Sequence, residues 1–233
     1  MRYSELSTYI NCPVKYDFIY KEGLKEAETL DLVFGTCMHT ALECSFEGLD
    51  AKEVFENEFL KYQDKELKRY TYSFDSLLSI GPKFLDNFES RHRKKFELLA
   101  CEKSFTTLVN GIEFTGTIEC VADIDGIPTV VDFKTSDKAY KQDKIDSNLQ
   151  MYLYAKAASE MFSIEIKQIM YLVFVKSEAP RIQTLKKELD QDLLQVHLNN
   201  ACEISKLLLS GVRYKNFNSC NYCAFINKCW GNK

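Results

Sequence analysis

Between residues 112 and 135 the chain reads IEFTGTIECVADIDGIPTVVDFKT. Two runs rich in β-branched and apolar residues flank Asp125-Gly126, a dipeptide that accepts the left-handed backbone of a tight hairpin turn. The reading is a strand from Ile112 to Asp123 folded back on a strand from Ile127 to Lys134. Just upstream, Glu97 to Val109 has the same texture and meets Ile112 across Asn110-Gly111, a second two-residue turn signal. The expectation is a three-stranded antiparallel meander.

Working outward, the pattern turns helical on both sides. Ser147 to Met161 reads as a helix, Ile169 to Val175 as an apolar strand, Arg181 to Lys187 as an edge strand and Asp190 to Leu209 as a long helix. Before the meander, Leu30 to Phe46 carries Phe34, Met38, Ala41, Leu42 and Phe46 at helical spacing. Val54, Phe55, Phe59 and Tyr62 predict another helix, as do Leu77, Phe84, Leu85 and Phe88. Ser4 is the expected cap of a first short helix, which Cys12-Pro13 interrupts. This order predicts an α/β protein, read as one domain over 1–233. Residues 1–95 form a mostly helical part, 96–209 the core and 210–233 a Cys-rich tail.

The 233 residues include 34 acidic and 30 basic side chains, a net charge of −4 that excludes a uniformly basic coat for nucleic acid. A local groove is still open to the charge run Arg91-His92-Arg93-Lys94-Lys95, and to Lys138, Lys141 and Lys144. Such runs are also what a plain solvated face contains. No apolar run approaches the roughly 20 residues of a membrane helix. No apolar leader core follows Met1, so the expected location is the cytoplasm, with no membrane partner.

Chemistry concentrates at the strand ends. Side chains repeat their face every two residues, so Asp132 and Lys134 point the same way. The Asp125-Gly126 turn brings Glu119 back beside them. Two converging carboxylates offer a divalent cation hard oxygen ligands, and a neighbouring Lys can orient or deprotonate an attacking water. The same residues would equally make a cross-strand ion pair. Among nine cysteines, Cys220, Cys223 and Cys229 stand apart as C-x2-C-x5-C near the C-terminus. With Cys12 they supply four thiols, a set that suits either zinc or an iron–sulfur cluster.

Gly116-Thr117-Ile118-Glu119, Val130-Val131-Asp132-Phe133-Lys134-Thr135 and Gln150-Met151-Tyr152-Leu153-Tyr154 resemble, in this order, motifs of the PD-(D/E)XK nuclease superfamily in its RecB-like branch. Phe34-Gly35-Thr36-Cys37-Met38-His39 is similar to the family's upstream histidine helix, and Tyr3 to Tyr9 with Cys12-Pro13 to its start. The resemblance implies a restriction-endonuclease-like core, a mixed sheet flanked by helices. It implies a Mg²⁺ or Mn²⁺ ion on His39, Glu119, Asp132 and the Phe133 carbonyl, with Lys134, Asp132 and Glu119 catalytic. Gln150 and Tyr154 would support the substrate strand. Position 119 departs from the family's usual Asp, and the extra methylene carries the carboxylate about 1 Å further out. Asp123, on the same strand face, is the substitute ligand to consider.

Resemblance to CRISPR-associated exonucleases and AddB-type nuclease domains implies a [4Fe–4S] cluster on Cys12, Cys220, Cys223 and Cys229, closing the tail on the N-terminus. Tyr222, Phe225 and Trp230 would shield it, with base stacking the alternative use of Trp230. The expected function is a metal-dependent exonuclease on single-stranded DNA ends in repair, recombination, phage replication or CRISPR adaptation, alone or beside a helicase, recombination or CRISPR partner. The alternative is a catalytically weak iron–sulfur or zinc DNA-binding scaffold of the same fold.

Overall fold

The computed structural model describes residues 1–69, 71–177 and 179–231, without the side chain of Tyr222. The chain divides into two compact units. One comprises 28–104 and 117–190; the other comprises 1–27, 105–116 and 191–233. The boundaries fall inside two strands, β1 (Phe96–Val109) and β2 (Ile112–Ile124).

The larger unit is built on a sheet ordered β1-β2-β3-β4-β5, with β3 Ile127–Ser136, β4 Gln168–Val175 and β5 Arg181–Glu188. Antiparallel β2–β3 pairing puts Cys120 opposite Val131. β3 and β4 run parallel, and β4 and β5 antiparallel, so the sheet is mixed. A parallel neighbour cannot be reached by a hairpin, and α6 (Asp143–Asp146) with α7 (Leu149–Phe162) makes the crossover. The helix expected over 147–161 is α7, starting two residues later than expected because Asn148 is its cap, with a side chain that accepts from the Gln150 N–H; the short α6 precedes that range. Asn has this use because its short side chain reaches an orphan first-turn donor.

Every residue of β4 is buried. Cys120, Ala122, Val131, Phe133, Met170, Leu172 and Phe174 join one core with α3 (Leu30–Phe46), α4 (Ala51–Leu60) and α5 (Phe74–Arg91). The alternating residues Val121, Val130, Ile169, Tyr171 and Val173 are also buried, facing the other side, where α7 packs on β3 and β4. Two covered faces explain why β4 reads as a continuous apolar run. Gly81 permits the α4–α5 approach: a Cβ there would lie 2.2 Å from Phe55 Cε1.

The smaller unit holds α1 (Tyr3–Asn11), α2 (Pro13–Tyr16), α8 (Gln191–Leu209) and α9 (Ile226–Trp230). The N-cap of α1 is Arg2, not Ser4; the Arg2 N–H donates to Glu5 Oε2 at 3.0 Å, which moves the helix start two residues upstream. After α8 the chain runs back along the N-terminal helices. The Tyr9 hydroxyl donates to the Val212 carbonyl, Arg213 Nε reaches both Asp17 oxygens at 2.8 Å, and the Ser219 hydroxyl donates to the Asn11 carbonyl at 3.0 Å. Among the described residues, no helix is long and apolar enough to cross a membrane.

Candidate active site

An open cavity of about 590 Å³ in the larger unit is lined by His39, Glu119, Phe133 and Lys134, among others. Regular elements deliver each of these. Continuing the β2–β3 register one step beyond Cys120–Val131 sets Glu119 beside Asp132. Helix α3 brings His39 against the same strand end, because Gly35, one turn earlier, lets the helix close on β3. A Cβ at Gly35 would stand 3.3 Å from Thr135 Oγ1.

Glu119 is held at one oxygen and left open at the other. Its Oε2 accepts the Phe133 N–H at 2.6 Å, and its Oε1 lies 3.6 Å from His39 Nδ1. The longer Glu side chain is what reaches the Phe133 amide. Asp132 is 0% exposed, with Lys134 Nζ 2.5 Å from Oδ2 as a charge contact. Neither Asp132 oxygen has a hydrogen-bond partner of acceptable geometry. The ammonium answers the charge at Oδ2, while Oδ1 meets no partner and is an oxygen donor still open.

The electrostatics follow from this crowding. Burial, then the Asp132 charge, pushes the Glu119 carboxyl well above its usual range. Burial alone would depress Lys134, but Asp132 and Glu119 outweigh it and hold the ammonium protonated. Burial pushes His39 down, toward the neutral imidazole that ligates metals. On α7, Gln150 Nε2 donates to the Tyr154 hydroxyl at 2.8 Å. The Tyr154 pKa is raised, by burial first and then by the Asp132 and Glu119 charges, which sets this ring within their field.

Oxygen donors beside a neutral imidazole match the preferences of Mg²⁺ or Mn²⁺. Among the described residues, however, no three His, Cys, Asp or Glu side chains are drawn together as a ready metal cage. Asp123 is elsewhere engaged, its Oδ1 accepting the Gly126 N–H at 2.7 Å in the β2–β3 turn. Glu43 and Glu102 line the cavity too, unanticipated from sequence. Glu43 was findable, four residues after His39 on one helical face. Glu102 turns on a positive φ of 47° within β1, which no sequence signal announces.

In the smaller unit, Cys12, Cys220, Cys223 and Cys229 line one cavity of about 20 Å³, on the scale of a single water. All are free thiols. Phe225 is buried and packs on Phe18, ring centroids 5.7 Å apart. Trp230 is 54% exposed and so leaves much of its ring in solvent. The Tyr222 side chain lies outside the described residues.

None of the curated proteins matches the sequence. A crystal structure of a protein from Eubacterium rectale, provisionally named an exonuclease, shares the fold. Its TM-score is 0.65 at 14% identity, covering 100% of this chain and 88% of that one. The structure of SSO0001 covers 95% of this chain and 90% of its own at 13% identity, but its TM-score of 0.39 carries no argument. The family model of the PD-(D/E)XK nuclease superfamily matches residues 2–230. With the mixed sheet delivering Glu119, Asp132 and Lys134 to one strand end, that match over nearly the whole length decides the family: the chain belongs to the PD-(D/E)XK nuclease superfamily.

Proposed function

We propose that this chain is a divalent-cation-dependent deoxyribonuclease that degrades single-stranded DNA from its ends. The observation that supports it best is Asp132, fully buried beside Glu119, with Oδ2 paired to the Lys134 ammonium and Oδ1 without a partner. Asp132, Glu119, the Phe133 carbonyl and neutral His39 would hold Mg²⁺ or Mn²⁺. The bound ion would polarise the scissile phosphate and acidify a water.

The protein's own groups do the rest. The Phe133 N–H fixes Glu119, leaving its Oε1 toward His39. Lys134, held protonated, orients the attacking water and offsets charge growing on the phosphate, instead of removing a proton. Gln150 steadies the Tyr154 hydroxyl against the substrate strand. Exposed Lys94, Lys95, Lys138, Lys141 and Lys144 are candidates for holding the backbone. Cys12, Cys220, Cys223 and Cys229 would carry a [4Fe–4S] cluster; the small volume of their cavity keeps a single zinc as the rival. The proposed setting is cytoplasmic repair, recombination, phage replication or CRISPR adaptation, alone or with a helicase, recombination or CRISPR partner.

A second reading, an idle DNA-binding scaffold, draws on the absence of a preformed three-residue cage among the described residues. End-labelled linear single strands, closed circles and duplexes digested in Mn²⁺ or Mg²⁺ separate the readings. Shortening of linear strands only supports the exonuclease; nicked circles argue for an endonuclease. Binding without any cleavage leaves the scaffold.

A further inference from the structure

The C-terminal segment presents aromatic faces where a folded tail would normally bury them. Phe217 is 64% exposed, Trp230 54% and Tyr214 53%. The Phe217 and Trp230 rings stand 5.7 Å apart between centroids, tilted by 51°. Aromatic side chains are the largest single contributors to burial, so neighbouring rings left in water mark a binding surface. These rings are not on a loose end. Phe217 opens a 3-10 turn, Phe217–Tyr222, that is tied down through Asn216 Nδ2 to the Asn11 carbonyl at 2.8 Å. Trp230 closes α9, where Lys215 Nζ donates to the Cys229 carbonyl at 2.8 Å and lies 5.7 Å over the indole.

Charge selects the occupant. From Ile204 to the C-terminus there is no Asp or Glu, while Lys206, Arg213, Lys215, Lys228 and Lys233 all fall in that stretch of a chain whose net charge is −4. Arg213, Lys228 and Lys206 are answered by Asp17, Glu22 and Glu203. The ammonium beside the rings is that of Lys215. Flat apolar faces next to a cation and away from tail carboxylates match a polyanion that carries its own flat faces.

We infer that Phe217 and Trp230, with Lys215 beside them, form a stacking platform for the bases of single-stranded nucleic acid. This deepens the nuclease reading and rests on it for the relevance of DNA. A duplex keeps its base faces stacked inward and is not a ligand for such rings. Because stacking carries the binding and one ammonium assists, log affinity falls with log salt by a slope of only about −0.7 at this surface.

Trp230 is the sole tryptophan, so its emission reports the platform directly. A short oligo-dT strand is titrated into the Lys134→Ala protein, with intrinsic emission and the anisotropy of a labelled strand read together. The expected result is quenching of Trp230 in step with binding, little change with a duplex, and affinity weakened about 5- to 150-fold by Phe217→Ala. Trp230→Ala, read by anisotropy, gives a similar loss, and Trp230→Phe restores most of it. Strand binding by anisotropy with unchanged emission overturns the platform while leaving the nuclease reading intact. So does equal quenching by duplex, wild-type affinity of folded Phe217→Ala, or burial of Trp230 by self-association without DNA.

Discussion

The two units hold their candidate sites by different means. Around the carboxylates, the scaffold is over-determined: Phe34, Phe55, Phe59, Phe84, Phe88 and Phe174 are fully buried, and β4 is covered on both faces. Around the cysteines, the tail is pinned by individual polar links, Ser219 to Asn11 and Arg213 to Asp17, while Phe217 and Trp230 face solvent. A site resting on a packed core can carry groups placed for chemistry and not for packing, such as the buried carboxylate of Asp132. A tail fastened by a few polar contacts would gain most from the cluster proposed on its thiols. Catalytic substitutions should therefore change rate without stability, and tail substitutions the reverse.

The largest expected effect is on rate. Lys134→Ala should lower cleavage about 10²- to 10³-fold, the scale of removing one preorganised charge-stabilising donor. Its melting temperature should fall less than that of the tail variant below, since the ammonium keeps 28% of its surface in solvent and lies outside the apolar core. Parallel rate and melting measurements check this, and joint loss of both would erase the contrast between the units.

Next comes the tail. On the proposal of a thiol-bound cluster, Cys223→Ser should release it and cost about 3 kcal/mol, a fall in melting temperature of roughly 6–12 °C for a chain of this size. Iron, sulfide and zinc analysis of anaerobically purified protein identifies what is lost. Unchanged stability in the variant would mean that the polar links suffice.

Gly81→Ala tests the core itself. The new methyl would meet the Phe55 ring at 2.2 Å, and that ring is trapped between Phe34 and Phe59, at 5.6 and 5.4 Å between centroids. Overpacking of this kind costs about 1–3 kcal/mol, measurable by urea unfolding, with catalysis below the melting range unchanged.

Sequence made part of this contrast visible. The helix over 30–46 and the turn at Asn110–Gly111 were readable because periodicity and turn chemistry are local. The meeting of Glu119 and Asp132 was readable because a two-residue turn and a two-residue period fix the register. What could not be read depends on tertiary partners. Burial of Asp132 comes from helices packed over the sheet, and the hydrogen bond between Glu119 and the Phe133 amide needs coordinates. So does Lys176, a buried cation paired with both Asp31 and Asp137 in the larger unit. The Asn11–Ser219 and Asp17–Arg213 links join residues about 200 apart, beyond any local pattern.

The smallest expected effect is a pH dependence in the tail's anchor. Burial acts to raise the Asp17 pKa, but hydrogen bonds from Lys21 and Arg213 outweigh it and hold the carboxyl below its ordinary range. A folded pKa below the unfolded one contributes stability that is present above the unfolded value and lost as pH falls through the folded one. Asp17→Asn should therefore cost about 1 kcal/mol at neutral pH, and the difference from wild type should shrink as pH falls below the ordinary carboxylate range and through the folded value. Urea unfolding of both proteins across that range reads it; a difference that persists in acid would assign the link to packing.

The central claim is that Asp132 is kept buried, with one oxygen free of protein partners, because it holds a divalent cation for cleavage of DNA. Mn²⁺ titration followed by electron paramagnetic resonance, with cleavage of a labelled single strand read on the same samples, tests it most directly. The account predicts that Mn²⁺ binding and cleavage rise together in the wild-type protein and are both lost in Asp132→Asn, which stays folded. Cleavage by Asp132→Asn at the wild-type rate, or wild-type Mn²⁺ binding in that variant, would contradict it.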